Sequence, residues 1–311
     1  MPDYDLLLDD EVRAFLARAA TFYPPDAVTL TVAEQRSVYD RMCADFDADH
    51  PSEVSAQDRA FGGVNCRIYN VEGAKNSVVY YHGGGFVVGG LESHDSICAE
   101  FAAGSGMRVV AVDYRLSPEH PHPEDFNDAM AAFEAICDIY ASTFVLAGDS
   151  AGGNLAAAVA HAQRNKAHGA RISGCLLIYP SLGGAWTLPS YVEHADAPGL
   201  STRDMQFYMN MRSNGQDKTG DATYAPLQDT DFSGLPPVVA ITAQCDPLSS
   251  DGDAYVQELT KARIPAMWLE EQGLVHAYLR ARHMSEKANS SFARMIKSLK
   301  SLQFGQLPDW S

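Results

Sequence analysis

Ser150 lies in Gly148-Asp-Ser-Ala-Gly152, between the apolar run 143–147 and a helical pattern that starts at Ala151. A serine on a sharp strand-to-helix turn has its hydroxyl pushed out above the sheet, and such a turn tolerates only small neighbours, which Gly148, Gly152 and Gly153 supply. The start of the following helix adds unpaired N–H groups and a dipole that favour negative charge nearby. Serine becomes a nucleophile only with a base in reach, and the base needs an acid to hold its tautomer. Downstream, Asp246 follows the strand-like run 238–242 and is followed by Pro247, which ends any ladder, while His276 closes Gly273-Leu-Val-His276. Ser150, Asp246 and His276 are therefore the candidate nucleophile, acid and base, with Asp251 as the rival acid. Both later residues lie beyond strand C-termini, the edge at which open α/β sheets bind ligands.

A second stretch fits the same chemistry. His82 opens His-Gly-Gly-Gly-Phe86 directly after the apolar run 77–81. Glycine loses more conformational freedom on folding than any other residue, so three in a row imply that something approaches the main chain closely. Attack on an acyl carbon places negative charge on its oxygen, and bare amides can hold that charge. The Gly84 and Gly85 amides, with that of Ala151, are the expected oxyanion hole; Gly83 shapes the turn and His82 is structural. Losing one such donor typically costs about 2.7–4 kcal/mol.

Holding these residues together takes a sheet. Apolar runs recur at 64–69, 77–81, 107–113, 143–147, 174–179, 236–242 and 266–269, with helical patterns between them at 94–103, 123–140, 151–166 and 250–263. A last helix carries Ala288, Phe292, Met295, Ile296, Leu299 and Leu302 on one side. Strands alternating with helices predict a mostly parallel sheet covered on both faces. Ahead of it, residues 5–20 place Leu8, Val12, Phe15, Leu16 and Ala19 on one helical face, and after Tyr23-Pro24-Pro25 a second helix starts at the capping box Thr31-Val-Ala-Glu34. Residues 182–231 interrupt the alternation. Within them Ser201-Thr-Arg-Asp204 caps a run bearing Met205, Tyr208 and Met209, a stripe that reads as ordinary core and stays outside the expected site.

Composition removes several function classes. With 23 Lys and Arg against 40 Asp and Glu, the formal charge of −17 argues against a nucleic-acid partner, which needs clustered cations. The opening Met-Pro-Asp-Tyr-Asp lacks the basic and apolar regions of a signal peptide, and no run of about 18 apolar residues follows, so a cytoplasmic protein without membrane insertion is expected. Six scattered cysteines with no CxxC pair read as reduced packing thiols. Glu119-His120-Pro-His122 reads as hydrogen-bonded structure rather than a metal site, since prolines flank the rings and no further ligand pattern accompanies them.

The motifs together resemble the hormone-sensitive-lipase-like branch of the α/β-hydrolase family, the bacterial carboxylesterases and acetyl esterases. The resemblance runs over roughly residues 60–300: HGGGF from His82, DYRLSPEHPHP from Asp113, GDSAGGN from Gly148, DPLSSDG from Asp246 and GLVHAY from Gly273. It departs from the family in DPLSSDG, where one serine stands for a residue that is more often charged. The resemblance implies an eight-stranded sheet in a single domain spanning residues 1–311, a cap built from about residues 1–50 and the insert 182–231, and no metal or organic cofactor. It further implies hydrolysis of short-chain acyl esters, a small-molecule ester as the partner, and leaves a homodimer open. Two alternatives stand beside it: a lactonase or amidase using the same residues, and a non-catalytic small-molecule-binding protein, since the resemblance extends to hormone receptors in which the histidine is replaced. Here His276 is present.

Overall fold

The computed structural model describes residues 2–23 and 30–310. Eight strands form one sheet in the order β1-β2-β4-β3-β5-β6-β7-β8. They are β1 (Ser55–Phe61), β2 (Val64–Asn70), β3 (Ser77–Tyr81), β4 (Arg108–Val112), β5 (Phe144–Asp149), β6 (Ile172–Ile178), β7 (Val238–Cys245) and β8 (Ala266–Val275). Pairing is antiparallel around β2 and parallel from β4 through β8. The parallel core is the expected one, and its strands are buried on both faces, as every residue of β3 and β5 shows. Strand β1 was not expected. Six of its seven residues, SAQDRAF, are exposed, so almost none of this edge strand faces the core and no alternating apolar pattern marks it.

The helices are α1 (Tyr4–Leu7), α2 (Asp10–Ala20), α3 (Val32–Asp45), α4 (Asp95–Ser105), α5 (Glu124–Ile139), α6 (Ala151–Gln163), α7 (Pro189–Glu193), α8 (Thr202–Ser213), α9 (Ser249–Lys261) and α10 (Glu286–Leu302). The single helix expected over 5–20 is two, because the Asp9 side chain accepts the Val12 N–H and starts a new helix there. Both capping boxes form, Thr31 with Glu34 and Ser201 with Asp204. The break at Tyr23-Pro24-Pro25 falls largely on residues outside those described.

Alternate strand residues point to opposite faces, so Val78 and Tyr80 enter one core with α4 and α10, while Val79 and Tyr81 enter the other with α5 and α6. Burial of this apolar surface, worth about 25 cal/mol per Å², holds the helices to the sheet. None of the described helices is long and apolar enough to cross a membrane. All six cysteines are free and buried, and burial pushes their thiols up; Cys66, for example, rises to about 12.

Helices α7 and α8 belong to the excursion between β6 and β7, whose two ends are fixed to the sheet domain from below. Asn154, on the first turn of α6, donates to the Ser181 carbonyl at 2.8 Å and the Tyr224 carbonyl at 2.9 Å. Asp251, on α9, accepts the Leu182 N–H at 2.7 Å, the Gly184 N–H at 3.3 Å and the Tyr191 hydroxyl at 3.0 Å.

Candidate active site

Strands β3, β5, β7 and β8 run parallel, so their C-terminal ends share one edge, and the next residues in the chain are His82, Ser150, Asp246 and His276. The edge therefore gathers side chains that are far apart in sequence. Ser150 sits at φ 54°, ψ −115°, a strained conformation that tips its hydroxyl out of the sheet. Close packing forces the elbow: a Cβ on Gly152 would stand 1.8 Å from the Tyr81 carbonyl oxygen, so no larger residue fits beneath the serine.

His276 Nε2 lies 3.0 Å from Ser150 Oγ, and His276 Nδ1 lies 2.6 Å from Asp246 Oδ2. Asp246 is wholly buried, and its second oxygen accepts the Leu248 N–H at 2.9 Å. This orders the protons: Nδ1–H donates to Asp246, leaving Nε2 to accept from the serine. The His276 ring meets the edge of Tyr179, centroids 4.8 Å apart, which fixes its plane. Ser150, Asp246 and His276 are thus brought together.

Asp251 is not part of this group. It faces the ends of the excursion instead, and burial raises its carboxyl to about 6 even though the amides of Leu182 and Gly184 favour the charged form. The unfolded pKa is near 4, so between about pH 4 and 6 the native state keeps a proton that the unfolded state has lost, and stability falls as pH rises through that window. Asp251→Asn keeps an oxygen for the two amides and removes the ionisation. We expect wild type to lose about 3 kcal/mol relative to the variant across this window, read from denaturant midpoints at successive pH values; parallel pH profiles would refute the assignment.

The glycine loop approaches Ser150 from β3. Gly84 has φ 126° and Gly85 φ 59°, and a Cβ on Gly84 would stand 2.1 Å from the Val88 carbonyl oxygen, so only glycine follows this path. The amides of Gly84, Gly85 and Ala151 have no hydrogen-bond partner among the described residues. The Gly83 amide differs: it donates to Asp149 Oδ1 at 2.9 Å and so anchors the turn. His82 stacks on Tyr114 at 4.3 Å, its backbone oxygen accepts the Tyr114 hydroxyl at 2.6 Å, and burial beside His94 lowers it to about 3, leaving it neutral. His122 turns to Asp125 and Asp221, each at 3.2 Å, and Glu119 pairs with Arg36.

Tyr208 packs against the small cluster of Tyr191, Leu200, Met205 and Leu248, and it does more than fill that core. Its ring lies over the glycine loop, with Cδ1 and Cγ each 2.6 Å from where a Gly85 Cβ would be, so this residue of α8 borders the site. Met205 is buried with Tyr191, Leu200 and Leu248, and Met209 packs on the sheet core. A helical stripe in sequence does not reveal which of its members meets a loop of another element.

Residues 78–280 match the family described as having the alpha/beta hydrolase fold. The chain belongs to this family. More specifically it is a serine hydrolase of the carboxylesterase and acetyl esterase branch. It is 37% identical over 233 residues to carboxylesterase NlhH of Mycobacterium tuberculosis, covering 72% of each chain. To the acetyl esterase of Salmonella schwarzengrund it is 28% identical over 295 residues, covering 91% of each. Among solved structures, the hyperthermophilic esterase of the archaeon Pyrobaculum calidifontis superposes with a TM-score of 0.87 at 29% identity, over 96% of this chain and 99% of that one.

Proposed function

We propose that the protein hydrolyses short-chain carboxylic esters through Ser150, His276 and Asp246. The observation that carries the reading is the 3.0 Å approach of His276 Nε2 to Ser150 Oγ beside three unpartnered amides. Ser150 Oγ attacks the ester carbonyl carbon while His276 Nε2 takes its proton. The carbonyl oxygen becomes an oxyanion held by the amides of Gly84, Gly85 and Ala151. Collapse expels the alcohol, which receives the proton from His276, and leaves an acyl group on Ser150. Water then attacks, giving its proton to His276, and the acid departs as Oγ is reprotonated. Asp246 keeps the imidazole in its tautomer and stabilises the imidazolium of each step. No cofactor is needed for this sequence.

Short acyl groups are favoured by two features. Ser150 is only 9% exposed, and the Tyr208 ring closes over Gly85, so the space beside the nucleophile is narrow. The names of the relatives point the same way, acetyl esterase in particular. In this reading the N-terminal helices and residues 182–231 form a cap whose residues set acyl length, and the free buried cysteines fit a cytoplasmic enzyme. The test is a rate profile over p-nitrophenyl esters of rising chain length. The expected outcome is a stoichiometric burst, with kcat/KM highest at acetate to hexanoate and falling beyond. A profile that rises past about twelve carbons, long enough to need a deep apolar channel, would overturn the short-chain assignment.

A further inference from the structure

Behind the glycine loop lies a buried charged chain that the steps above do not use. Asp149 precedes Ser150 and is 5% exposed. Its Oδ1 accepts the Gly83 N–H at 2.9 Å and the Tyr80 hydroxyl at 2.8 Å, and its two oxygens stand 3.2 and 3.3 Å from His94 Nε2. His94 Nδ1 is 2.8 Å from Ser93 Oγ. Beyond His94 comes Arg280, four residues after His276 and also buried. Its Nη1 donates to the Ser93 carbonyl at 2.8 Å, its Nη2 donates to the Tyr39 hydroxyl at 2.8 Å, and Nη2 is 3.4 Å from His94 Nε2.

The geometry points to Arg280 and His94 as positioning residues that brace the glycine loop against the loop carrying His276, with Asp149 as their shared anchor. The inference rests on the ester-hydrolase reading and extends it. One planar guanidinium grips three segments at once: the turn that follows His276, the Ser93-His94 turn that continues the glycine loop, and helix α3. Its charge matters as much as its reach. Asp149 is held at the residue next to the nucleophile and bonded to the loop that receives the oxyanion. A lone negative charge there would oppose the second one that develops in the transition state. Burial alone would push the Asp149 carboxyl up, but His94 and Arg280 outweigh it and hold the group well below the usual carboxylate range. Arg280 thus offsets the anchor's charge, with the His94 ring standing between the two.

The test is Arg280→Gln, assayed on p-nitrophenyl acetate with rates divided by active sites titrated with a phosphonate. Because misplacement by about 1 Å costs on the order of 10²-fold, kcat per titrated site is expected to fall by tenfold to a hundredfold with KM within about twofold of wild type. Arg280→Lys, which keeps the charge but not the fork, should recover part of that loss. A residue that serves only stability would lower the number of titrated sites and leave kcat per site unchanged. That result, or a raised KM with unchanged kcat, overturns the inference. If Arg280→Gln does not fold, Tyr39→Phe removes one acceptor of the guanidinium and leaves the charge buried; a fall of about fivefold in kcat per site supports the inference and a wild-type value overturns it. Wild-type turnover and its loss in Ser150→Ala test the ester-hydrolase reading separately, so the two can fail independently.

Discussion

Ser150→Ala is expected to lower kcat by about 10⁶-fold and to abolish the burst, leaving only what free amides and substrate binding provide. The structure gives a reason to expect a folded variant. The strain at φ 54° belongs to the backbone, which Gly148 and Gly152 hold in place from both sides, and alanine adds no atom to the elbow. The lost hydroxyl takes away the 3.0 Å partner of His276 Nε2, while the ring keeps its Asp246 contact. Steady-state hydrolysis of p-nitrophenyl butyrate checks this, with thermal unfolding as the fold control. Residual activity above about one part in a hundred would remove Ser150 from its role, because it lies far above the loss that follows deletion of a nucleophile.

Asp246→Asn should cost about 10⁴-fold in kcat with KM little changed. Asparagine has nearly the same shape and can still accept the Leu248 N–H that Asp246 Oδ1 now takes at 2.9 Å. What it presents to His276 Nδ1 in place of the 2.6 Å carboxylate contact is then an amide N–H. Two donors cannot face each other, so the ring proton moves to Nε2, where it meets the serine and blocks it from acting as base. The loss is therefore one of tautomer rather than of binding, and a kcat measurement at fixed folded fraction reads it. A tenfold effect or less would remove Asp246 from this role; Asp251, placed against the excursion, predicts the opposite behaviour, a change in pH-dependent stability with kcat kept.

The residues around the nucleophile were legible because each announces a backbone need. GDSAGG states the elbow through its small neighbours, and HGGG states a loop that only glycine can trace. Asp246 and His276 followed because each stands just past an apolar run, and parallel strands bring such positions to one edge. Strand β1 is not legible, since six exposed residues carry no period, and the apolar run marks β8 only as far as Leu269 although the strand continues to Val275. Its second half, Glu270-Glu271-Gln272-Gly273, looks like a turn; the chain stays in the sheet through an irregularity opposite Ala243 to Cys245 and a positive φ at Gly273. The cross-element contacts of Tyr208, His94 and Arg280 are not legible in the sequence. Their roles come from contacts across elements, between α8 and Gly85 or between the turn after His276 and Ser93, and no local spacing encodes such a meeting.

The grip of Asn154 on both Ser181 and Tyr224 ties the two ends of the excursion to one side chain. That amide stands one turn along the nucleophile's own helix, so both ends of the excursion are registered to Ser150, and Asp251 adds a second registration, to α9, at the Leu182 end. A change of sequence between the two ends that keeps both attachments would leave the elbow beneath it in alignment.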